Sequence, residues 1–171
     1  MSKYTEKRFL RYAPPHLFEI VAAVERYPEF LPWCLVAHIR TTKKLPGAPN
    51  RTLVVADLVV GLRLIRKRYT SRVTLQPPHR IDVRCVNGPF EYLNNRWIFE
   101  PVAPDARRPV GGTMLTFDIE FEFRSIVLQS LVGGLLNEAA RHMVAAFEGR
   151  AKRLYGARPS VRAGLRELAQ S

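Results

Sequence analysis

Histidines, cysteines and clustered carboxylates carry most catalytic chemistry, and in this sequence they stand apart. His16, His38, His79 and His142 are widely separated, and none joins carboxylates at a metal-ligand spacing. Cys34 and Cys85 are too few and too distant for a disulfide framework or a zinc site, so they read as small buried hydrophobes. Asp118, Glu120 and Glu122 alternate with apolar residues and therefore point together out of the core. No glycine-rich loop has phosphate-binding spacing. The pattern points away from catalysis, and no metal or organic cofactor is expected.

What remains is the chemistry of recognition. "YPEFLPWC", Tyr27 to Cys34, sets Tyr27, Phe30 and Trp33 between two prolines, on a segment that can be neither a regular helix nor a strand. Rings with a polar handle favour half-wet sites. Phe30, Leu31 and Trp33 therefore either contact a ligand or a membrane interface, or plug the end of the core. Tyr69, Val73, Leu93, Trp97, Phe117, Ile119 and Phe121 are expected on one concave apolar face, as pocket wall or as plain core. Asn95 shares that face, where a buried amide must find a partner. That partner is a ligand, a strand end or a water. On the turn "VVGLRLIRKRY", Leu62, Leu64 and Ile65 sit among Arg63, Arg66, Lys67 and Arg68. Apolar tips flanked by cations suit an anionic membrane surface, and an ordinary hairpin with a basic outer face fits the pattern equally.

The elements that must position these residues follow from periodicity. At 171 residues the chain is long enough for one domain with a real core. Its net charge of +12 favours anionic partners: phospholipid head groups, nucleic acid or ribosomal surfaces. No apolar run reaches the roughly 18–20 residues that span a bilayer. The N-terminus carries no long apolar targeting segment, so the chain is expected to stay in the compartment where it is made. Residues 4–12 read as a strand. Pro14 and Pro15 then open a helix that should end before Pro28. From residue 35 the period is two. "RKRYTSRVTL" puts Tyr69, Ser71, Val73 and Leu75 inward, and "TMLTFDIEFEF" is the clearest strand. From Ile126 to Tyr155 the period becomes 3.6, a helix of roughly 40 Å. Gly133 and Gly134 lie within it and either leave room for a ligand or mark a helix that starts only at Leu135. On the continuous reading, Val132, Leu135, Leu136 and Met143 face the sheet. The tail from 157 to 171 is a basic extension, either a short helix or disordered.

One strand, a helical insert, about six further strands and one long helix imply an α+β architecture: a twisted antiparallel sheet of about seven strands wrapped around the C-terminal helix. The blocks "VERYPEFLPWC", "RYTSRVTLQPPHRIDVRC", "LTFDIEFEFRS" and "MVAAFEGRAKRLYG" resemble, in order, the coenzyme-Q-binding branch of the START-like, polyketide-cyclase superfamily. The resemblance covers residues 3–156, taken as one domain (1–156), and a ribosome-association toxin belongs to the same branch. It implies a helix-grip fold with a hydrophobic cavity between sheet and helix. It also implies non-enzymatic binding and transfer of ubiquinone or a related polyisoprenoid quinone, in support of respiration or quinone biosynthesis. The implied partners are the quinone, an anionic membrane surface met transiently, and respiratory or quinone-biosynthesis enzymes, with no specific DNA binding. The implied setting is the bacterial cytoplasm beside the inner membrane, or the mitochondrial matrix side. Asn95 would then face a quinone carbonyl. The blocks read as closer to the ubiquinone-binding members than to the toxin. Two other functions remain open: a toxin-like protein on the large ribosomal subunit, and a cyclase or hydrolase of aromatic polyketides, which would need polar residues converging in the cavity.

Overall fold

The structure, a computed structural model, describes residues 2–156, and the tail assigned to 157–171 lies outside the described residues. Strand β1 (Ser2–Leu10) begins and ends two residues before the segment expected from its pattern. Helix α1 (Pro14–Ala22) opens with Pro14 and Pro15 in its first turn, where a missing N–H costs nothing, and buries Leu17, Phe18, Ile20 and Val21. It stops well before Pro28, earlier than the proline alone requires. The cause is Tyr27, whose hydroxyl donates to the Val21 carbonyl, the acceptor a further helical turn would have used. The chain continues as a 3-10 helix, Val24–Glu29, with Pro28 inside it.

Six strands follow: β2 (Cys34–Leu45), β3 (Ala48–Leu62), β4 (Ile65–Gln76), β5 (Arg80–Asn87), β6 (Phe90–Val102) and β7 (Gly112–Phe123). All neighbours pair antiparallel in the order β1-β7-β6-β5-β4-β3-β2, so the first strand returns to lie beside the last. In β7 burial alternates along almost the whole strand, with Thr113, Leu115, Phe117, Ile119, Phe121 and Phe123 inward. Helix α2 (Ile126–Tyr155) then crosses the concave face. Its first turn is capped by Ser125, whose hydroxyl accepts from the Leu128 N–H at 3.2 Å. The helix runs unbroken through Gly133 and Gly134, so the alternative start at Leu135 is set aside. A β-carbon on Gly133 would meet the Gln129 side chain, whereas Gly134 has nothing within 4 Å of that position.

The antiparallel meander gives the sheet two unlike ends. At one end α1 packs near the C-terminus of α2, and Tyr12 donates to the Gly156 carbonyl at 2.8 Å. At the other lie the β3–β4 and β5–β6 turns, the start of β2, the end of β7 and the first turns of α2. The two ends are filled differently. That difference creates the site.

Candidate functional site

Beneath the second end lies an apolar cavity of about 130 Å³. Its floor is aromatic. Trp97 stands 4.8 Å from Phe147 of α2, ring centre to ring centre, and 4.7 Å from Phe117. The proline-bracketed segment forms one side. Tyr27 and Phe30 meet Phe147 edge-on at 5.4 and 5.0 Å, while Leu31 and Trp33 reach the cavity wall. Trp33 is held there by its carbonyl, which accepts from the Gly61 N–H at 3.0 Å. Arg150 of α2 pairs with Glu29 and lies over the Phe30 ring, tying the segment to the helix. Proline-stiffened backbone therefore supplies one wall of a pocket, and that is why so many rings occupy it.

Most of the residues expected at a cavity stand on its wall: Leu31, Trp33, Tyr69, Val73, Leu93, Asn95, Trp97, Val132 and Met143, with Ile119 and Leu136 beside them. Four do not. Phe117 and Phe121 face the concave side but are sealed by other rings, Phe117 by Trp97 and Tyr4, Phe121 by Phe90 and Phe123. Phe30 lies behind the wall against Phe147. Leu135 is only half-buried, on the flank of the Val132–Leu136–Met143–Phe147 stripe. The hairpin assigned to membrane contact also divides. Leu62, Ile65 and Lys67 line the cavity, whereas Leu64 at the tip is 100% exposed. Arg63, Arg66 and Arg68 are exposed, and Arg63 turns the tip with a left-handed φ of 56°.

Several wall residues were not among those expected at the cavity, including Tyr27, Cys34, Ser71, Phe90, Phe123 and Phe147, although Ser71 was already placed on the inward face of its strand. Strand parity was the available signal for two side chains on β4. Lys67 and Ser71 share the odd positions of Tyr69 and Val73, so one row of the strand runs Lys67, Tyr69, Ser71, Val73 along the cavity. Gly88 permits this row to be covered: a β-carbon there would fall 2.5 Å from the Tyr69 Cβ.

The polar groups of the wall are few, and Asn95 is held by the protein itself. Asn95 donates to the Asp118 carbonyl at 2.9 Å, and its own carbonyl accepts from the Trp97 indole at 2.8 Å. Of the partners open to this buried amide, the protein supplies a strand carbonyl and an indole, which leaves one amide N–H uncommitted beside the cavity. Burial pushes the Cys34 thiol up to about 11, so it is protonated at neutral pH and a poor nucleophile toward an electrophilic ligand. Burial likewise raises Tyr27 and Tyr69 far above the ordinary phenol range. The histidines lie elsewhere. His16 stacks on Tyr155 and His142 pairs with Glu138 on an exposed face. Among the described residues no three His, Cys, Asp or Glu side chains converge as metal ligands.

Comparison with known proteins fits this geometry. The family described as polyketide cyclase / dehydrase and lipid transport matches residues 10–148. The ribosome association toxin RatA of Rickettsia prowazekii is 35% identical over 156 residues, covering 89% of this chain and 97% of the toxin. The mitochondrial coenzyme Q-binding protein COQ10 homolog B of Xenopus laevis is 33% identical over 155 residues, covering 90% of this chain and 59% of that protein. Overall identity therefore does not set the chain closer to the quinone-binding relative than to the toxin, contrary to the reading of the sequence blocks. A START superfamily protein from Mycobacterium smegmatis shares the fold, with a TM-score of 0.67 at 22% identity over 89% of this chain and 98% of its own.

Proposed function

The chain belongs to the polyketide cyclase / dehydrase and lipid transport family, and within it we propose that the protein binds and carries a polyisoprenoid quinone without transforming it. The observation that carries this reading is the cavity itself, walled by two tryptophans and by aliphatic side chains from sheet and helix. A space of about 130 Å³ is smaller than the roughly 300–1,000 Å³ that encloses a whole drug-sized ligand. It suits a ring and its first tail carbons, with the rest of an isoprenoid tail leaving through the open end. Moving such a group from bilayer to apolar wall changes its surroundings little, so exchange stays reversible.

The rim supports delivery at a membrane. Large apolar side chains stand exposed around the open end: Leu64 at 100%, Ile126 at 85%, Val127 at 68% and Leu131 at 60%. Arg63, Arg66 and Arg68 flank them, and basic residues near an anionic surface contribute about 1 kcal/mol each. Among the described residues no helix is long and apolar enough to cross a membrane.

Organic extraction of protein purified from a quinone-producing host, followed by mass spectrometry, tests the proposal. One quinone per chain is expected, and none from Met143→Trp, which fills the cavity from the helix side. A second reading rests on a separate observation: the toxin-named relative matches over nearly its full length. A basic surface suits ribosomal RNA as well as lipid. Protein free of lipid that co-sediments with large ribosomal subunits would sink the carrier reading in favour of this one.

A further inference from the structure

Among the described residues, three buried side-chain oxygens lack a hydrogen-bond partner, and they differ in what surrounds them: Glu6 Oε2, the Tyr92 hydroxyl and the Ser71 hydroxyl. Only Ser71 lines the cavity. It is 1% exposed and sits in the middle of β4, paired in register with Ala56 on one side and Cys85 on the other. Its neighbour Thr70, on the opposite face, has what Ser71 lacks, a hydroxyl bonded to Asp57 at 2.6 Å. On the same sheet face, two strands away on β6, Asn95 has already committed its carbonyl oxygen and one amide hydrogen to the protein. An unpaired buried hydroxyl costs about 1–3 kcal/mol, so alanine would be the more stable choice unless the hydroxyl meets something in the cavity.

We propose that Ser71 is the polar anchor of the cavity, hydrogen-bonding a ring carbonyl or hydroxyl oxygen of an apolar ligand that enters head first. This rests on the carrier reading and adds the ligand's orientation to it. Tyr69, two residues earlier in the same row, brings its ring beside the head, with Phe90 set edge-on at 5.8 Å. Lys67 stands two residues further toward the hairpin, where the row reaches solvent. The order Lys67, Tyr69, Ser71 thus places a fully buried, unpaired hydroxyl inside, past an aromatic collar, and leaves the apolar rim to the tail. A ligand seated tail first would bury hydrocarbon against the hydroxyl and leave it unpaired.

The experiment uses the full chain and two probes of equal tail length: a dimethoxy-methyl-benzoquinone with one short alkyl chain, and an alkylbenzene without ring oxygens. Both are measured by displacement of an environment-sensitive apolar dye. Ser71→Ala is expected to weaken the quinone about five- to tenfold, the loss of one hydrogen bond, and to leave the alkylbenzene unchanged. Ser71→Thr keeps the hydroxyl and is expected to retain the preference for the quinone. Without ligand, Ser71→Ala should be at least as stable as the parent, because it removes an unpaired group. Equal loss for both probes would make Ser71 a packing residue and overturn the anchor while the cavity stands. Unchanged affinity for both would do the same. Failure of both probes to displace the dye from the parent protein would overturn the cavity reading and the anchor with it.

Discussion

The two ends of α2 are built on opposite rules. Its C-terminal turns are locked. Tyr12 bonds to the Gly156 carbonyl, His16 stacks on Tyr155 at 4.4 Å, Thr113 holds the Tyr12 carbonyl at 2.6 Å, and Ala151 is wholly buried. Its N-terminal turns instead expose Ile126, Val127 and Leu131 and cover a cavity rather than a packed core. One end holds the sheet closed and the other leaves apolar surface unspent, a division expected of a protein that must open to something greasy. Stability should therefore be concentrated where ligand is not, and each end can be perturbed without the other.

The largest effect belongs to the locked end. Phe99 is 1% exposed and set edge-on to Phe18 of α1, so Phe99→Ala should cost about 3–5 kcal/mol in denaturant unfolding. If the surviving folded protein also loses dye binding, the two ends are not independent. Next comes alkaline pH, which acts on the open end through Tyr27 and Tyr69, the most strongly raised phenols. A raised value means the folded chain holds the proton more tightly than the unfolded chain. Their contribution is then complete below pH about 10 and is lost as pH climbs beyond it, at about 1.4 kcal/mol per unit of difference. The denaturation midpoint should fall above that pH, less steeply in Tyr69→Phe. Smaller still, Tyr12→Phe should cost about 1 kcal/mol, one hydrogen bond, with ligand affinity unchanged. Smallest in stability is the pair Leu64→Ser and Ile126→Ser, expected within about 0.5 kcal/mol of the parent. These should nonetheless reduce co-sedimentation with anionic vesicles, and unchanged vesicle binding would remove the rim from the proposed delivery step.

How much of this was legible in the sequence depends on the kind of order involved. Period-two alternation in β7 and β4 assigned faces correctly, because a strand leaves its side chains only two directions. It could not say which inward residues meet space and which meet other rings. Phe117 and Ile119 share a face, yet only Ile119 reaches the cavity, since Trp97 and Tyr4 cover Phe117. The early end of α1 was hidden for a related reason. It depends on a side chain six residues away supplying the Val21 carbonyl with a donor, a long-armed contact no local propensity encodes. Asn95 was correctly marked as an amide that must be paired, but its partners are set by register, from β6 to β7 and along β6 to Trp97. The hairpin's cations were grouped because they cluster in sequence, whereas the pleat sets Lys67, itself exposed, at the cavity mouth and Arg66 and Arg68 on the opposite face.

The glycine pair in α2 has a consequence for motion. Each glycine weakens a helix by about 1 kcal/mol relative to alanine, and Gly134 has no packing neighbour that demands it. The pair separates the first two turns, which hold the rim, from a rod anchored by Ala139, Ala140, Val144, Phe147 and Ala151. A segment of two turns is far shorter than the roughly 12–15 residues at which a free helix becomes even marginal, so it persists only through Leu128 and Val132. Amide hydrogens there should exchange with solvent deuterium through local opening, while those of residues 139–151 wait for global unfolding. The timing of cargo entry and release would then be set by the fraying of two helical turns, leaving the sheet intact throughout.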